Sequence, residues 1–142
     1  METEVDRLVK NMEAEASVNT AFVCDLETFK DVYRMQRRLL ARPGETMYLS
    51  LMTLGYQKGT KPDELRHEKL LSMFIDTAKR SLRCGDSLCR YSYNKLAIMF
   101  PAGSYEDARK IIDRVRKVYM LKSSGEKLVV TFSLKPLKNV NE

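Results

Sequence analysis

The order of periodic segments predicts an α+β fold built on a βαββαβ core: an antiparallel four-stranded sheet with both crossover helices on one face and further helices ahead of it. Three observations carry this expectation. Met47–Leu54 is an apolar run of strand length. Ser87–Tyr93 and Lys95–Phe100 are two short strands so close in sequence that only a tight hairpin can join them. Long amphipathic segments follow both the first strand and the hairpin. A chain of 142 residues, 44% hydrophobic and 31% charged, fits one folded domain with a sizeable core.

Taken in order, Val5, Leu8, Val9 and Met12 recur at the spacing of one helical face and predict a short amphipathic helix over Glu2–Ala16. An isolated helix of that length is marginal, so its apolar stripe implies a partner surface. Val18–Cys24 reads as an extended connector, which divides the chain into an N-terminal helix and connector, 1–24, and a domain over 25–142. Asp25 caps a second helix whose inward side is Phe29, Val32, Tyr33, Gln36, Leu39 and Leu40; it runs to Ala41 and stops at Arg42-Pro43-Gly44. This helix could cover a sheet edge or the second sheet face.

The unbroken hydrophobicity of Met47–Leu54, ended by Gly55, predicts a central strand buried on both faces. Pro62, Asp63 and Glu64 open a long helix that turns Leu65, Leu70, Met73, Phe74, Thr77 and Leu82 inward and ends at Gly85. In the hairpin, Asn94 is suited to a left-handed turn position, and Pro101 closes the second strand. Ser104 and Asp107 resemble a capping box for a helix carrying Ala108, Ile111, Ile112, Val115, Val118 and Tyr119 to about Leu121. Lys127–Leu134 then alternates as the last strand. Right-handed crossovers convert this order into the ferredoxin-like arrangement, a scaffold of many functions, so the site must decide.

Composition narrows the classes. No apolar run approaches the ~20 residues of a membrane span, and the acidic, amphipathic start is unlike a signal peptide, so a soluble, cytoplasmic protein is expected. Cys24, Cys84 and Cys89 form no disulfide framework, and with His67 as the single histidine they offer no metal set; reduced, mostly buried thiols are expected. The net charge of +6 suits an acidic partner, but the bases are spread along the chain apart from Arg34, Arg37, Arg38 and Arg42, which read equally well as a solvated helix face.

The segment Ser81-Leu-Arg-Cys-Gly-Asp-Ser-Leu-Cys-Arg-Tyr-Ser-Tyr-Asn-Lys-Leu-Ala-Ile-Met-Phe-Pro101 resembles the signature region of GGDEF diguanylate cyclase domains. There, leucine-arginine, two residues and aspartate precede arginine-tyrosine-glycine-glycine-aspartate-glutamate-phenylalanine and an apolar strand. The resemblance spans residues 25–134 and implies the nucleotidyl cyclase version of the ferredoxin-like fold. Aligned at Arg90-Tyr91, the signature is replaced by Ser92, Tyr93, Asn94, Lys95 and Leu96. The family's other metal-binding aspartate lies at the end of the first strand, where Leu51-Met52-Thr53-Leu54-Gly55 has no carboxylate. Phosphoryl transfer from GTP needs hard cations held by oxygen ligands, so the resemblance implies a degenerate, non-catalytic domain with neither metal nor cofactor.

Arg83 and Asp86 keep the arginine, two residues, aspartate spacing of the site at which active family members bind cyclic di-GMP. An arginine fork and a carboxylate suit phosphate and guanine edges, which makes a receptor role the alternative function. A turn cap at Asp86 and a solvated helix-end cation at Arg83 are the preferred account of the pair, since two polar residues in a turn are a low-information match. Arg90 likewise reads as a strand residue pairing with a neighbouring carboxylate. Tyr91 and Tyr93 share a strand face and could stack on RNA bases, although no RNA-binding signature accompanies them; core packing for one and a hairpin-tip contact for the other is preferred. His67 reads as an exposed residue of a charged helix stretch.

A narrower likeness concerns Ala21–Arg42, which looks like the segment following the bacterial transcriptional activator domain in regulators related to the antibiotic regulatory protein family. It implies the C-terminal part of a longer bacterial transcription factor that meets DNA only through a domain outside this chain. The expected function is therefore regulation and protein interaction, with a second copy or an upstream domain as partner.

Overall fold

The computed structural model describes residues 1–13, 19–40 and 46–141. Its elements are α1 (Glu4–Met12), β1 (Phe22–Val23), α2 (Leu26–Leu39), β2 (Thr46–Tyr56), α3 (Glu64–Ser81), β3 (Ser87–Ser92), β4 (Lys95–Ala102), α4 (Tyr105–Lys122) and β5 (Leu128–Pro136). The expected βαββαβ order is present from β2 to β5. The sheet, however, has five strands in the order β1-β3-β4-β2-β5.

The fifth strand corrects the reading of the connector as merely extended. Phe22 and Val23 pair in parallel with Ser87 and Leu88. The N–H groups of Ala21, Phe22 and Cys24 donate to the carbonyls of Lys79, Asp86 and Leu88 at 3.1, 2.8 and 3.0 Å. Two residues are too few to show strand periodicity, so only the partner edge reveals them.

β2 is an interior strand, antiparallel to β4 on one side and to the edge strand β5 on the other; with β1 added to the sheet, β4 rather than β2 takes the central place. Gly55 does not end it. The strand continues to Tyr56, and a Cβ at Gly55 would lie 3.2 Å from the Val129 carbonyl, so glycine permits the close β2–β5 approach. The alternation of β2 sends Tyr48, Met52 and Leu54 to one face, where they meet Leu70, Leu71 and Phe74 of α3 and Ile112, Val115 and Tyr119 of α4. Met47, Leu49 and Leu51 face the other side, where Phe29 of α2 packs with Cys89, Ala97 and Met99. Thus α2 covers the second sheet face rather than an edge. Within the first core Tyr119 is fully buried, tilts against Phe74 at 4.6 Å and donates its hydroxyl to the Leu70 carbonyl at 2.7 Å. Burial raises its pKa well above the usual phenol value.

Helix ends differ from expectation in instructive ways. α1 starts at Glu4 because Thr3 and Asp6 form a capping box; its expected continuation to Ala16 enters residues 14–18, outside the described segments. The stop expected at 41–44, together with Arg42, also lies outside them. α3 ends at Ser81, before Gly85, because Leu82 turns extended and buries its side chain. Leu65 and Leu39, expected inward, are 69% and 49% exposed. Leu65 lies in the first turn of α3, ahead of the turns that carry its buried face, and Leu39 in the last turn of α2, where Phe29 is the one buried residue. β4 does not close at Pro101 but runs on to Ala102, with Pro101 opposite Met47 near the strand end, and β5 extends to Pro136.

Candidate functional site at the β3–β4 hairpin

The hairpin carrying Ser92, Tyr93, Asn94, Lys95 and Leu96 turns through Tyr93 and Asn94, with Ser92 opposite Lys95. Asn94 does not adopt a left-handed conformation: among the described residues no non-glycine has positive φ. A register shift between Arg90 and Ser92 absorbs the twist instead. Leu96 is fully buried in the first core, so one member of the altered signature is a packing residue.

Lys95 and Asn94 tie the hairpin to the end of β2. Lys95 Nζ donates to Thr53 Oγ1 at 2.8 Å, Asn94 Nδ2 donates to the Leu54 carbonyl at 3.2 Å, and the Leu54 N–H donates to the Asn94 carbonyl at 2.8 Å. These are the positions at which the resemblance would require metal-binding carboxylates. An ammonium, an amide and a hydroxyl stand there, and the ammonium repels a cation. No group of three or more His, Cys, Asp or Glu side chains among the described residues could hold a metal ion. The donor set does not fit Mg2+.

On its other side the hairpin is bound to α3 through His67. The expectation of an exposed histidine is overturned: His67 is 1% exposed. Its ring stacks on Tyr93 with centroids 3.9 Å apart and 9° between planes. Nε2 meets the Tyr93 carbonyl at 2.8 Å and Nδ1 meets the Tyr56 hydroxyl at 2.5 Å. The carbonyl can only accept, so Nε2 donates, and in the neutral ring Nδ1 accepts from Tyr56. Burial, followed by the proximity of Tyr93, raises the Tyr56 pKa. The charged neighbours of His67 in sequence concealed this role; its place three residues before the buried Leu70 was the available signal.

Tyr91 and Tyr93 are 50% and 46% exposed, which corrects the assignment of one of them to the core. Tyr91 lies where the register shifts at the strand's end, beyond the buried span Ser87–Cys89. Arg90 spans the hairpin as a fork: its two terminal nitrogens donate to the Glu68 carboxylate at 2.9 and 2.8 Å, and the guanidinium also reaches the Ser92 and Tyr93 carbonyls. The Arg90 hydrogen bond holds the Glu68 carboxyl below its usual range. Both available hairpin flanks, toward β2 and toward α3, are therefore occupied by the chain's own polar groups.

Arg83 and Asp86 lie at the opposite end of β3. Asp86 is 5% exposed and its Oδ2 accepts from the Arg83 backbone N–H at 2.8 Å, the geometry of a turn cap. Burial is the main influence on this carboxyl and raises its pKa. The Arg83 side chain is exposed, and a cleft of about 300 Å³ brings both residues together with Gly103, Asp107 and Arg114. The thiols, expected mostly buried, are spread across environments: Cys89 is buried, Cys24 half-buried and Cys84 exposed, because Cys84 falls in the α3–β3 turn rather than on an element facing a core.

No protein-family model matches the chain, and no curated protein matches it. Among solved structures it is similar to a DGC protein from Thermotoga maritima, with a TM-score of 0.64 over 84% of this chain and 83% of that one, at 18% identity. The chain therefore has an α+β nucleotidyl cyclase-type fold, with four helices and a five-stranded mixed sheet among the described residues. No helix among the described residues is long and apolar enough to cross a membrane.

Proposed function

We propose that this chain is a non-catalytic regulatory and protein-interaction domain, a degenerate relative of diguanylate cyclase domains. The observation that carries the reading is the hydrogen bond from Lys95 Nζ to Thr53 Oγ1, which puts a positive charge between β2 and the hairpin where nucleotide chemistry would need a cation. The Tyr93–His67 stack adds bulk at a turn where the related domains have glycine. The likeness of Ala21–Arg42 to the segment after a bacterial transcriptional activator domain supports a setting in a bacterial, cytoplasmic transcription factor. Incubating the chain with GTP and Mg2+ or Mn2+, then separating products by chromatography, tests the reading: no cyclic di-GMP is expected, and product above a no-protein control would refute it.

The cleft at Arg83, Asp86 and Arg114 favours one second reading, a cyclic di-GMP receptor. Against it stands the engagement of the Asp86 carboxylate by the Arg83 N–H, which leaves that group committed to the turn.

A further inference from the structure

We propose that the groove between α2 and the open half of the second sheet face receives the amphipathic helix α1 of a second copy of this chain, so that two chains exchange α1 reciprocally. The inference goes beyond the regulatory reading and does not rest on it, since it stands whether or not the hairpin acts on nucleotide.

Two clefts of about 340 and 210 Å³ run along α2 and share Tyr33 and Leu49, making one continuous groove. Leu49 and Leu51 of β2 floor it, and Phe29 and Tyr33 form its α2 wall. Among the described residues every charged group lining it is a base: Lys30, Arg37, Lys135 and Lys138. Glu27 already pairs with Lys30 at 3.3 Å, so Arg37, Lys135 and Lys138 supply most of the positive potential.

Helix α1 has the complementary character. Val5, Leu8, Val9 and Met12 are 67%, 55%, 37% and 64% exposed, and no residue of the helix is buried. At ~100° per residue, Asp6 and Glu13 border this stripe on one side and Glu4 on the other, while Arg7 and Lys10 fall on the opposite face. An apolar stripe edged by acids thus faces an apolar groove edged by bases, which is recognition of a helix by a groove with electrostatic selection of the pairing.

The occupant is a second copy because of where α1 joins the fold. The chain enters the fold at β1, bonded to the Lys79 carbonyl of α3 and the Asp86 carbonyl just before β3, while the groove lies over β2. Helix α2, packed over β3 and β4, lies between that edge and the groove. Between two chains the exchange needs no crossing of that helix, and two identical contacts about a two-fold axis close the assembly.

Sedimentation equilibrium of the full chain tests this. A dimer is expected at concentrations on the order of 100 µM, and Leu8→Asp should raise its dissociation constant by at least about tenfold. Lys135→Glu with Lys138→Glu, exposed positions in the groove, should weaken the dimer comparably, and an unchanged urea midpoint for each variant checks that the body remains folded. Mixing the two variants should then restore a mixed dimer, since one chain retains an intact α1 and the other an intact groove. A native chain that stays monomeric would overturn the proposal. So would a dimer lost in Leu8→Asp but insensitive to the lysine reversals, the signature of α1 pairing with α1, or cross-links that join α1 to the groove of the same chain.

Discussion

The imidazole of His67 and the phenol of Tyr93 lie parallel at 3.9 Å, and the Nε2 of the same histidine meets the Tyr93 carbonyl at 2.8 Å. One side chain therefore holds both the ring and the backbone of the hairpin tip, while Tyr56 orients it from β2. Three elements converge on a single buried polar group.

Replacing that group should be costly. His67→Ala removes the stack and the shorter of the two hydrogen bonds to the Tyr93 carbonyl, leaving only that from Arg90, for an expected loss of about 2–4 kcal/mol in urea unfolding. Tyr56→Phe removes one hydrogen bond and should cost about 1 kcal/mol. A double-mutant cycle should show coupling between them, because without His67 the Tyr56 hydroxyl has lost its acceptor.

The Lys95–Thr53 contact predicts indifference to metal. The melting temperature of the native chain should be the same in EDTA and in Mg2+. Thr53→Asp combined with Lys95→Glu would place two carboxylates where a 2.8 Å hydrogen bond now stands. That variant should melt below the native chain in EDTA and recover with Mg2+, since like charges at such a spacing need a cation between them. Lys95→Glu alone should make no cyclic di-GMP from GTP, a point settled by chromatography.

Asp86 predicts a pH dependence of defined sign. Its folded pKa is raised by burial above the unfolded value of about 3.9, so the native state binds more protons in that window. Its contribution is most favourable below the window and is lost as pH rises through the folded pKa. Asp86→Asn keeps an acceptor for the Arg83 N–H and should flatten this part of the stability profile while matching or exceeding native stability at neutral pH. Asp86→Ala removes the cap and should cost about 1 kcal/mol. Calorimetry with cyclic di-GMP should show no micromolar binding; specific, salt-resistant binding abolished by Arg83→Ala would instead promote the receptor reading.

The thiols should separate by environment. Burial pushes the Cys89 thiol up to about 11 and also raises Cys24, so neither presents much thiolate at neutral pH. Cys84 is exposed. A thiol reagent should modify one cysteine rapidly in the native protein and all three after unfolding, as read by mass spectrometry.

Much of the fold was legible because each long element carries its own period. The apolar run at Met47–Leu54, the interval between Tyr93 and Lys95 and the stripes of α3 and α4 each point to one local structure, and their order leaves few topologies. β1 was hidden because it is defined by the edge it joins, and the hairpin's register shift because it depends on the twist of both strands. At the site, the absence of carboxylates at Thr53, Asn94 and Lys95 was readable directly. The roles of His67 and Glu68 were not, since both sit among charged residues whose partners, Tyr93 and Arg90, are brought to them by the sheet.

Strand β2 has a consequence for the order in which the molecule assembles. It lies inside the sheet, one strand in from the β5 edge, yet both of its neighbours come later in the chain: β4 pairs Thr46 with Ala102, and β5 pairs Tyr56 with Leu128. Nothing synthesised before β2 can satisfy its ladder. Such long-range pairing is slow, because chain entropy is lost before the contacts that reward it are made. During synthesis this long apolar strand therefore waits for the last one, shielded first by α3 and β4 and closed only when β5 emerges. Chains ending before Lys127 would keep that flank of β2 open, and they should accumulate as aggregates rather than as a smaller folded domain.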